Sequence, residues 1–299
     1  MRYPGLYIGD SFAEVYKPLL SDLVYKPDYV VSPRDLKVHE LDNVRIEIMH
    51  PLESLFTNDI RSSKLSYIAA EFLWYLCRSK SSSFISRHAK LWDYIKNSDG
   101  SVNSAYGHLI FENFDDKPSQ WSWAYESLLK DKDSRQAIMH FNRPAHQFDG
   151  NKDFVCTMYA TFHIRNEMLN MTVVMRSNDA IKGLPTDIPF FTFLQHQMVL
   201  QLIESGKYSN LRIGKYVHIV NSMHLYDVDM KTTMSMLDKK FESIRFPEST
   251  VPVIDYTGKV HEYYHDLYKL FDSKIPVYIP PKHREDILYN FIVTHFKQK

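Results

Sequence analysis

Cys156 stands out because a thiol can form a covalent bond to a substrate. It lies in an apolar segment, residues 154–164, whose residue types favour a β-strand. A period of two places Cys156 on one face of that strand with Phe162 and Ile164. A thiol on such a face is either a small buried core group or, where a positive charge favours its thiolate, a nucleophile.

Arg176 and Ser177 are the nearest candidates to supply that charge. A polar turn at 165–167 separates segment 154–164 from a second apolar segment, 169–175, and this pattern predicts a hairpin. The hairpin brings Arg176 to within a few residues of Cys156. An arginine fork followed by a serine hydroxyl can bind a phosphate. The alternative is a strand that simply emerges into solvent.

Four other polar residues have settings that allow both a functional and a structural interpretation. Asp187 follows a Gly-Leu-Pro-Thr segment and either caps a helix or faces a ligand. Glu71 lies on an otherwise apolar helix, where a buried carboxyl must be paired or functional unless it faces solvent at the rim. His224 and Tyr226 follow a strand, and taken by themselves they indicate nothing more than a structural histidine.

Helices and strands are mixed along the whole chain, which predicts an α/β or α+β fold with a substantial sheet. The predicted helices are 65–78, 84–96, 119–130, 188–204 and 226–243. The predicted strands are 137–141, 154–164, 169–175 and 213–223. We expect a single catalytic domain over 1–299, with a motif-bearing core at about 65–245 and a C-terminal extension, 246–299, of unassigned role.

Composition narrows the class of protein. The 36 basic and 36 acidic side chains give a net charge of zero, which argues against a nucleic-acid partner. The two cysteines, Cys77 and Cys156, fit neither a metal site nor a disulfide framework and indicate a reducing compartment. The N-terminus lacks a secretory pattern, and the most apolar stretch is too short to span a bilayer. We therefore expect a cytoplasmic protein with no metal.

Several short motifs occur together in an order that resembles the thymidylate synthase family. Within that family the resemblance is nearest to the deoxycytidylate hydroxymethylases of bacteriophages. The motifs are 71–76 (EFLWYL), 91–93 (LWD), 105–107 (AYG), 133–135 (DSR), 143–144 (RP) with 147–149 (QFD), 153–157 (DFVCT), 175–179 (MRSND), 183–187 (GLPTD) and 224–226 (HLY). Each motif is unspecific by itself, and their joint order carries the resemblance.

The resemblance implies a fold, a cosubstrate and roles for individual residues. The fold would be a large mixed β-sheet flanked by helices, and the protein a homodimer. Cys156 would add to C6 of a pyrimidine nucleotide, and 5,10-methylenetetrahydrofolate would supply the one-carbon unit. The remaining assignments are phosphate binding by Arg176, Ser177, the more weakly aligned Arg34 and, across the dimer, Arg135; sugar binding by His224 and Tyr226; proton transfer by Glu71; and folate or nucleophile contacts by Asp179, Trp92 and Tyr106.

Asp187 indicates which base the family member would take. Synthases of this family carry Asn at the matching position, where an amide accepts from N3–H and donates to O4 of uracil. Cytosine presents the inverse pattern, which a carboxyl meets if it accepts from N4 and, while protonated, donates to N3. This interpretation requires a raised pKa for Asp187 or a proton shared with the base. The resemblance therefore predicts dCMP as the substrate.

The chain departs from the synthase pattern in several places. Thr157 follows the nucleophile where synthases have His and the hydroxymethylases have Thr, and residues 221–223 replace a Gly-Gly-Asp, as a base other than uracil requires. Gln136 replaces a second arginine, which would weaken the phosphate contact across the dimer. The C-terminus is basic instead of small and apolar, and the wetter site that this implies would favour hydroxymethylation over methylation. We expect a dCMP 5-hydroxymethylase in which water captures the transferred methylene. The alternatives are a methylating enzyme acting on dCMP or dUMP, a CMP hydroxymethylase, and an idle nucleotide-binding module of the same fold.

Overall fold

A computed structural model describes residues 5–114, 116–273 and 286–296. The strands are β1 (Leu6–Gly9), β2 (Tyr29–Val31), β3 (Val38–Ile48), β4 (Leu55–Thr57), β5 (Ile138–His140), β6 (Thr157–Arg165), β7 (Met168–Asp179), β8 (Arg212–Tyr226) and β9 (Glu242–Ile244). The helices are α1 (Phe12–Tyr25), α2 (Leu65–Leu76), α3 (Ser82–Ile85), α4 (Leu91–Ile95), α5 (Tyr106–Phe111), α6 (Gln120–Lys130), α7 (Leu184–Glu204), α8 (Met230–Leu237), α9 (Glu262–Ser273) and α10 (Ile287–His295).

The chain divides into two compact units. The first takes its residues from 1–63, 156–199 and 210–246, and the second from 64–155, 200–209 and 247–299. The single catalytic domain expected from the sequence stays a prediction, and each unit is described by itself.

A large mixed sheet forms the centre of the first unit. Its order runs β1-β3-β8-β7-β6, with β2 also paired to β3. The β1/β3 and β7/β8 pairs are parallel, and the β3/β8 and β6/β7 pairs are antiparallel. Because β7 and β8 are parallel, their carboxyl ends meet at one edge, where Asp179 lies beside His224. The predicted mixed α/β arrangement is confirmed.

The hairpin of β6 and β7 is present where the sequence predicts it. Asn166 and Glu167 form the two-residue turn with φ angles of 52° and 57°, the positive values that a tight hairpin turn requires. The buried face of the hairpin comprises Ala160, Phe162, Ile164, Leu169, Met171 and Val173.

Helix α7 is fastened to this sheet by the side chain of Gln195. Its Nε2 donates to the carbonyl of Leu169 at 2.8 Å and to that of Gly214 at 3.1 Å, where the register between β7 and β8 shifts. A Cβ at position 214 would lie 2.2 Å from Asn170 Oδ1, so only glycine fits there. The start of α7, which carries Asp187, is thereby fixed relative to the sheet.

The second unit is built around the buried helix α2. Residues 68–76 of α2 are all buried, and α5, α9 and α10 pack against the helix. A Cβ on Gly107 would approach the carbonyl oxygen of Tyr75 to 1.8 Å, which explains the glycine at this α2–α5 contact. The C-terminal segment thus contributes to a hydrophobic core through α9 and α10, a role the sequence left unassigned.

Two predicted helices differ from the structure. The predicted helix 84–96 divides into α3 and α4, because a turn at 86–90 interrupts the helical hydrogen bonds. The predicted helix 226–243 shortens to α8, preceded by a 3₁₀ turn at Asp227–Asp229 and followed by β9. Within the described part of the chain, the helices are too short or too polar to cross a membrane.

Candidate active site

Cys156 lies beside the guanidinium of Arg176, as the predicted hairpin requires. The carbonyl of Cys156 accepts from the amide of Arg176 at 2.9 Å, which continues the β6/β7 ladder by one step. Arg176 Nη2 lies 3.5 Å from Cys156 Sγ. A guanidinium at this distance stabilises a thiolate, and both side chains are half-buried.

The prediction that Cys156 lies on the same strand face as Phe162 and Ile164 is wrong, because β6 contains a β-bulge. Thr157 pairs with Met175 but Tyr159 pairs with Val174, so Met158 is an extra residue in β6. The bulge reverses the alternation, and Thr157 joins Ala160 in the buried series. Cys156 precedes the strand and is directed away from that series, which leaves the thiol partly accessible. The inert core thiol that the simple alternation favours is therefore not what the fold produces.

Ser177, His224 and Tyr226 cluster at the carboxyl ends of β7 and β8. Ser177 Oγ lies 3.3 Å from His224 Nδ1, and the ring of Tyr226 meets the His224 ring edge-on with centroids 5.1 Å apart. Burial lowers the pKa of His224, although the nearby carboxyl of Asp179 acts in the opposite direction. A neutral His224 can both donate and accept, as binding a sugar hydroxyl requires.

Asp187 lies in the first turn of α7, half-buried beside the end of β7. Its Oδ2 accepts from Asn178 Nδ2 at 2.9 Å. Burial of the carboxyl raises its pKa to about 7, a rise that the Asn178 hydrogen bond reduces and the charge of Asp179 increases. The side chain therefore combines partial exposure with a carboxyl that keeps its proton near neutral pH.

Through Asn178, Asp187 is connected to a buried polar network that was not predicted from the sequence. Asn178 Nδ2 is 3.2 Å from His218 Nε2, and His218 Nδ1 is 2.8 Å from the hydroxyl of Tyr216. All three residues are buried, and burial lowers the pKa of His218 to about 3. The available signal was a histidine inside the apolar run 216–220, since a buried polar side chain needs hydrogen-bond partners.

The two carboxylate oxygens of Asp179 differ in their contacts: Oδ1 stabilises the backbone turn, and Oδ2 is a candidate acceptor for a ligand. Oδ1 accepts from the backbone amides of Ile181 and Lys182 at 2.7 and 2.9 Å and so shapes the turn into α7. Within the described residues, Oδ2 accepts no hydrogen bond. A half-buried carboxylate oxygen of this kind fits an N–H donor on a heterocycle, which is the predicted role toward folate.

Arg34 lies exposed in a 3₁₀ turn, Pro33–Asp35, ahead of β3. Its φ of 54° is a left-handed conformation that is uncommon for a residue other than glycine. Because Val38 pairs with Tyr226, this turn lies a few residues from the strand end that carries His224 and Tyr226, the pair predicted to bind the sugar. Arg34 therefore stays a candidate for phosphate binding.

Glu71 and Trp92 belong to one hydrogen-bonded group in the second unit. Tyr67 is the link, because its hydroxyl donates to Glu71 Oε1 at 2.7 Å and accepts from Trp92 Nε1 at 2.9 Å. Glu71 is buried, which removes the alternative of a carboxyl at the solvent-exposed rim of α2. The carboxyl is held by its neighbours, as a proton-transfer group needs to be.

Tyr106 and Arg135 also lie in the second unit. Tyr106 is buried and stacks on Tyr75 with ring centroids 5.5 Å apart. Arg135 is exposed just ahead of β5, as a residue that reaches another subunit must be. Gln136, its neighbour, is exposed as well. The roles of Glu71, Trp92, Tyr106 and Arg135 stay predictions, as does the basic tail at 297–299, which lies outside the described residues.

Two further observations concern metal binding and the second cysteine. The described ranges contain no group of three or more His, Cys, Asp or Glu side chains arranged to hold a metal ion. Cys77, the second cysteine, donates from Sγ to the carbonyl of Tyr264 at 3.4 Å, and burial raises its pKa. Burial outweighs the charges of Arg78 and Lys269, which act to lower the pKa of Cys77, so its thiol is disfavoured as a thiolate.

The amino-acid sequence is similar to those of known proteins. A sequence model of the family described as "Thymidylate synthase" matches residues 43–270. The deoxycytidylate 5-hydroxymethyltransferase of Enterobacteria phage T4 is 30% identical over 204 residues, which cover 67% of this chain and 80% of that protein. The deoxyuridylate hydroxymethyltransferase of Bacillus phage SP01 is 27% identical over 266 residues, covering 83% of this chain and 66% of that protein.

Solved structures contain the same fold. A thermostable thymidylate synthase A from Bacillus subtilis superposes with a TM-score of 0.63, covering 80% of this chain and 87% of the other at 16% identity. At that identity the likeness concerns the fold, and it confirms the predicted architecture of a large mixed sheet flanked by helices.

Proposed function

The chain belongs to the thymidylate synthase family, and on this premise we propose that it is a dCMP 5-hydroxymethylase. The family relationship supports a pyrimidine nucleotide C5 one-carbon transferase, and methylenetetrahydrofolate is the one-carbon donor of the family. The choice of cytosine, of a deoxyribonucleotide and of a hydroxymethyl product are the further steps of the proposal.

Cys156 is the nucleophile in this reaction. Its thiolate, favoured by Arg176 at 3.5 Å, forms a bond to C6 and turns C5 into a carbon nucleophile. Methylenetetrahydrofolate supplies the one-carbon unit that C5 takes up. Loss of the C5 proton releases tetrahydrofolate from the transferred methylene, water adds to that methylene, and the thiolate departs from C6. The products are 5-hydroxymethyl-dCMP and tetrahydrofolate, so atoms and electrons balance with water as the only further reactant.

The observation on which the choice of cytosine depends is the raised pKa of Asp187, because cytosine needs a carboxyl that can donate to N3. At about 7, this carboxyl keeps a proton that an ordinary aspartate has lost at neutral pH. A protonated carboxyl donates to N3 of cytosine through one oxygen and accepts from N4 through the other. An ionised carboxylate would offer acceptors only and would leave N3 without a donor.

The nucleotide's phosphate and sugar have candidate partners in the same unit. Arg176 and Ser177 lie at the end of β7, where a fork of N–H donors and a hydroxyl suit a phosphate. His224 and Tyr226, on β8, are placed to hold a sugar hydroxyl. We assign Asp179, Trp92 and Tyr106 to folate and Glu71 to proton transfer on the strength of the family pattern.

We also propose a homodimer in which Arg135 reaches the phosphate site of the partner subunit. The face of the sheet opposite its buried series supports this arrangement. One row across it is Tyr159, Val174 and Ile219, which are paired through the register and only partly buried. A second chain would cover these apolar side chains.

Hydroxymethylation is favoured over methylation by two observations. Thr157, the residue type that the resembled hydroxymethylases have where synthases have His, takes the position after the nucleophile and is buried. Both phage relatives described above are named as hydroxymethyltransferases. They differ in the base that they are named for, so a deoxyuridylate hydroxymethylase is the second candidate function, and Asp187 is the residue that argues against it.

Product analysis tests the proposal. The protein is incubated with methylenetetrahydrofolate and dCMP, dUMP or CMP, and the products are weighed by mass spectrometry. We expect dCMP to gain the mass of CH2O and no dihydrofolate absorbance to develop. A gain of CH2 with dihydrofolate formation would indicate a methylating enzyme, and conversion of dUMP in preference to dCMP would refute the assignment of Asp187. Nucleotide binding without turnover of any of the three would favour the idle module.

A further inference from the structure

A protonated Asp187 does not by itself distinguish cytosine from uracil. With the proton on the oxygen that faces N3, the carboxyl donates to N3 and accepts from the N4 amine of cytosine. With the proton on the other oxygen, it donates to O4 and accepts from N3–H of uracil. The two arrangements differ only in which carboxyl oxygen carries the proton. Selectivity therefore needs a second group that fixes the proton's place.

Asn178 is in contact with the carboxyl and has the geometry to do this. Its Nδ2 donates to Asp187 Oδ2 at 2.9 Å. A carboxyl oxygen that accepts this N–H bond is disfavoured as the protonated oxygen, because the hydroxyl oxygen of a carboxylic acid is a weaker acceptor than the carbonyl oxygen. The proton of Asp187 is therefore held on Oδ1, and Oδ2 stays an acceptor.

The orientation of the Asn178 amide is fixed by its other neighbours. The same Nδ2 lies 2.7 Å from the thioether sulfur of Met175 and 3.2 Å from His218 Nε2. Sulfur is a weak acceptor and never a donor, so an amide nitrogen, not an oxygen, belongs in this position. Asn178 Oδ1 is buried without a hydrogen-bond partner in the described structure. Because the amide oxygen of Asn178 has no partner, the contacts of the amide nitrogen determine the orientation of the side chain.

His218 completes the arrangement through its tautomer. Facing an N–H donor, Nε2 must be the bare nitrogen, so the proton is on Nδ1 and is directed at the hydroxyl of Tyr216 at 2.8 Å. His218 is fully buried, and burial lowers its pKa to about 3, so the ring is neutral near pH 7 and one of its two nitrogens is an acceptor. A histidine carrying its proton on Nε2 would repel the Asn178 amide and favour the reversed orientation.

We propose that Oδ1 of Asp187 faces N3 of the base, and that Asn178, oriented by His218, is a positioning residue that selects cytosine over uracil by holding the proton of Asp187 on that oxygen. This inference rests on the proposed function, since it explains how the base is chosen by an enzyme of that kind. Neither residue touches the reacting carbons, and their effect is on substrate choice through Asp187.

The test compares kcat/KM for dCMP and dUMP in variants of the full-length enzyme. Asn178→Ala removes the donor, so we expect the dCMP to dUMP ratio to fall by about tenfold, the scale of one pair of base-edge hydrogen bonds. His218→Phe removes the acceptor that orients the amide and should lower the ratio in the same direction. His218→Gln, which can present an oxygen where Nε2 lies, should recover most of the ratio. Asn210→Ala, at an exposed Asn just ahead of β8, is the matched control with an unchanged ratio.

Asp187→Asn, measured in parallel, separates the proposed choice of cytosine from the proposed positioning role of Asn178. If Asp187→Asn does not move preference toward dUMP, the proposed choice of cytosine fails. If it does so while Asn178→Ala and His218→Phe keep the wild-type ratio, the positioning role is refuted and the choice of cytosine stands. A purely structural role would lower both kcat/KM values equally and leave the ratio unchanged, which also refutes the inference. Should Asn178→Ala fail to fold, as judged by circular dichroism, the His218→Phe and His218→Gln pair decides.

Discussion

The raised pKa of Asp187 has a direct thermodynamic consequence, which the substitution Asp187→Asn isolates. The folded carboxyl titrates at about 7 instead of its ordinary value of 3.8. As pH rises past about 4, the unfolded chain releases the Asp187 proton while the folded chain retains it until about 7. The folded state binds more protons across this window, so the contribution of Asp187 to stability declines from about pH 4 to about pH 7 and is constant above.

The size of the effect follows from the shift of about three pKa units. At about 1.4 kcal/mol for each unit the full shift corresponds to about 4 kcal/mol, and partial exposure of the side chain reduces this to roughly 2–4 kcal/mol. An asparagine has no proton to lose, so the free energy of unfolding of Asp187→Asn should rise relative to wild type by that amount over this pH range. The hydrogen bond with Asn178 changes in the variant, but that change is independent of pH.

Urea denaturation at a series of pH values measures this difference. We expect the two stability curves to lie at a fixed separation near pH 4, to diverge up to about pH 7 and then to run parallel. Asp149→Asn, at an exposed carboxyl, is the matched control and should run parallel to wild type throughout. A constant difference between Asp187→Asn and wild type at every pH would mean that Asp187 is ionised in the folded protein, and the argument for cytosine would lose its physical basis.

Three further predictions follow from the same geometry. The value of kcat/KM for dCMP should fall as pH rises above about 7, because Asp187 then loses the proton that N3 requires; a pH profile still rising at pH 8 would contradict this. Iodoacetamide should label Cys156 and spare Cys77, whose pKa is raised by burial, and Arg176→Ala should slow the labelling of Cys156. Peptide mass mapping distinguishes the two sites, and equal labelling of both cysteines would contradict the prediction. Arg176→Ala should also weaken dCMP binding by about 2 kcal/mol, the scale of a hydrogen bond to a charged group, with deoxycytidine as the control ligand whose affinity should change far less in calorimetry.

The sequence was sufficient for the features that depend on local pattern. The hairpin, its turn at Asn166 and Glu167, and the approach of Arg176 to Cys156 follow from apolar segments joined by polar residues. Helix α2 was recognised for the same reason, since its apolar positions repeat at helical spacing. The order of short motifs then indicated the family, which the comparisons confirm.

Other features depend on contacts that no local pattern encodes. Alternation with a period of two placed Cys156 on the buried face, because an extra residue such as Met158 leaves no mark in the sequence until the strands are paired. The predicted helix 84–96 failed for a related reason, as apolar spacing continued through a turn. Asn178 and His218 were missed because their importance lies in a hydrogen-bond network between two strands and the start of α7.

Release of tritium from C5 of labelled dCMP tests most directly whether Cys156 attacks the pyrimidine ring. In the presence of methylenetetrahydrofolate the wild-type protein should release tritium to water, because the C5 proton must leave once C5 has formed its new bond. Cys156→Ser should bind dCMP with similar affinity and release none, while Cys77→Ser releases it at the wild-type rate. Tritium release by Cys156→Ser at the wild-type rate would contradict the account at its centre.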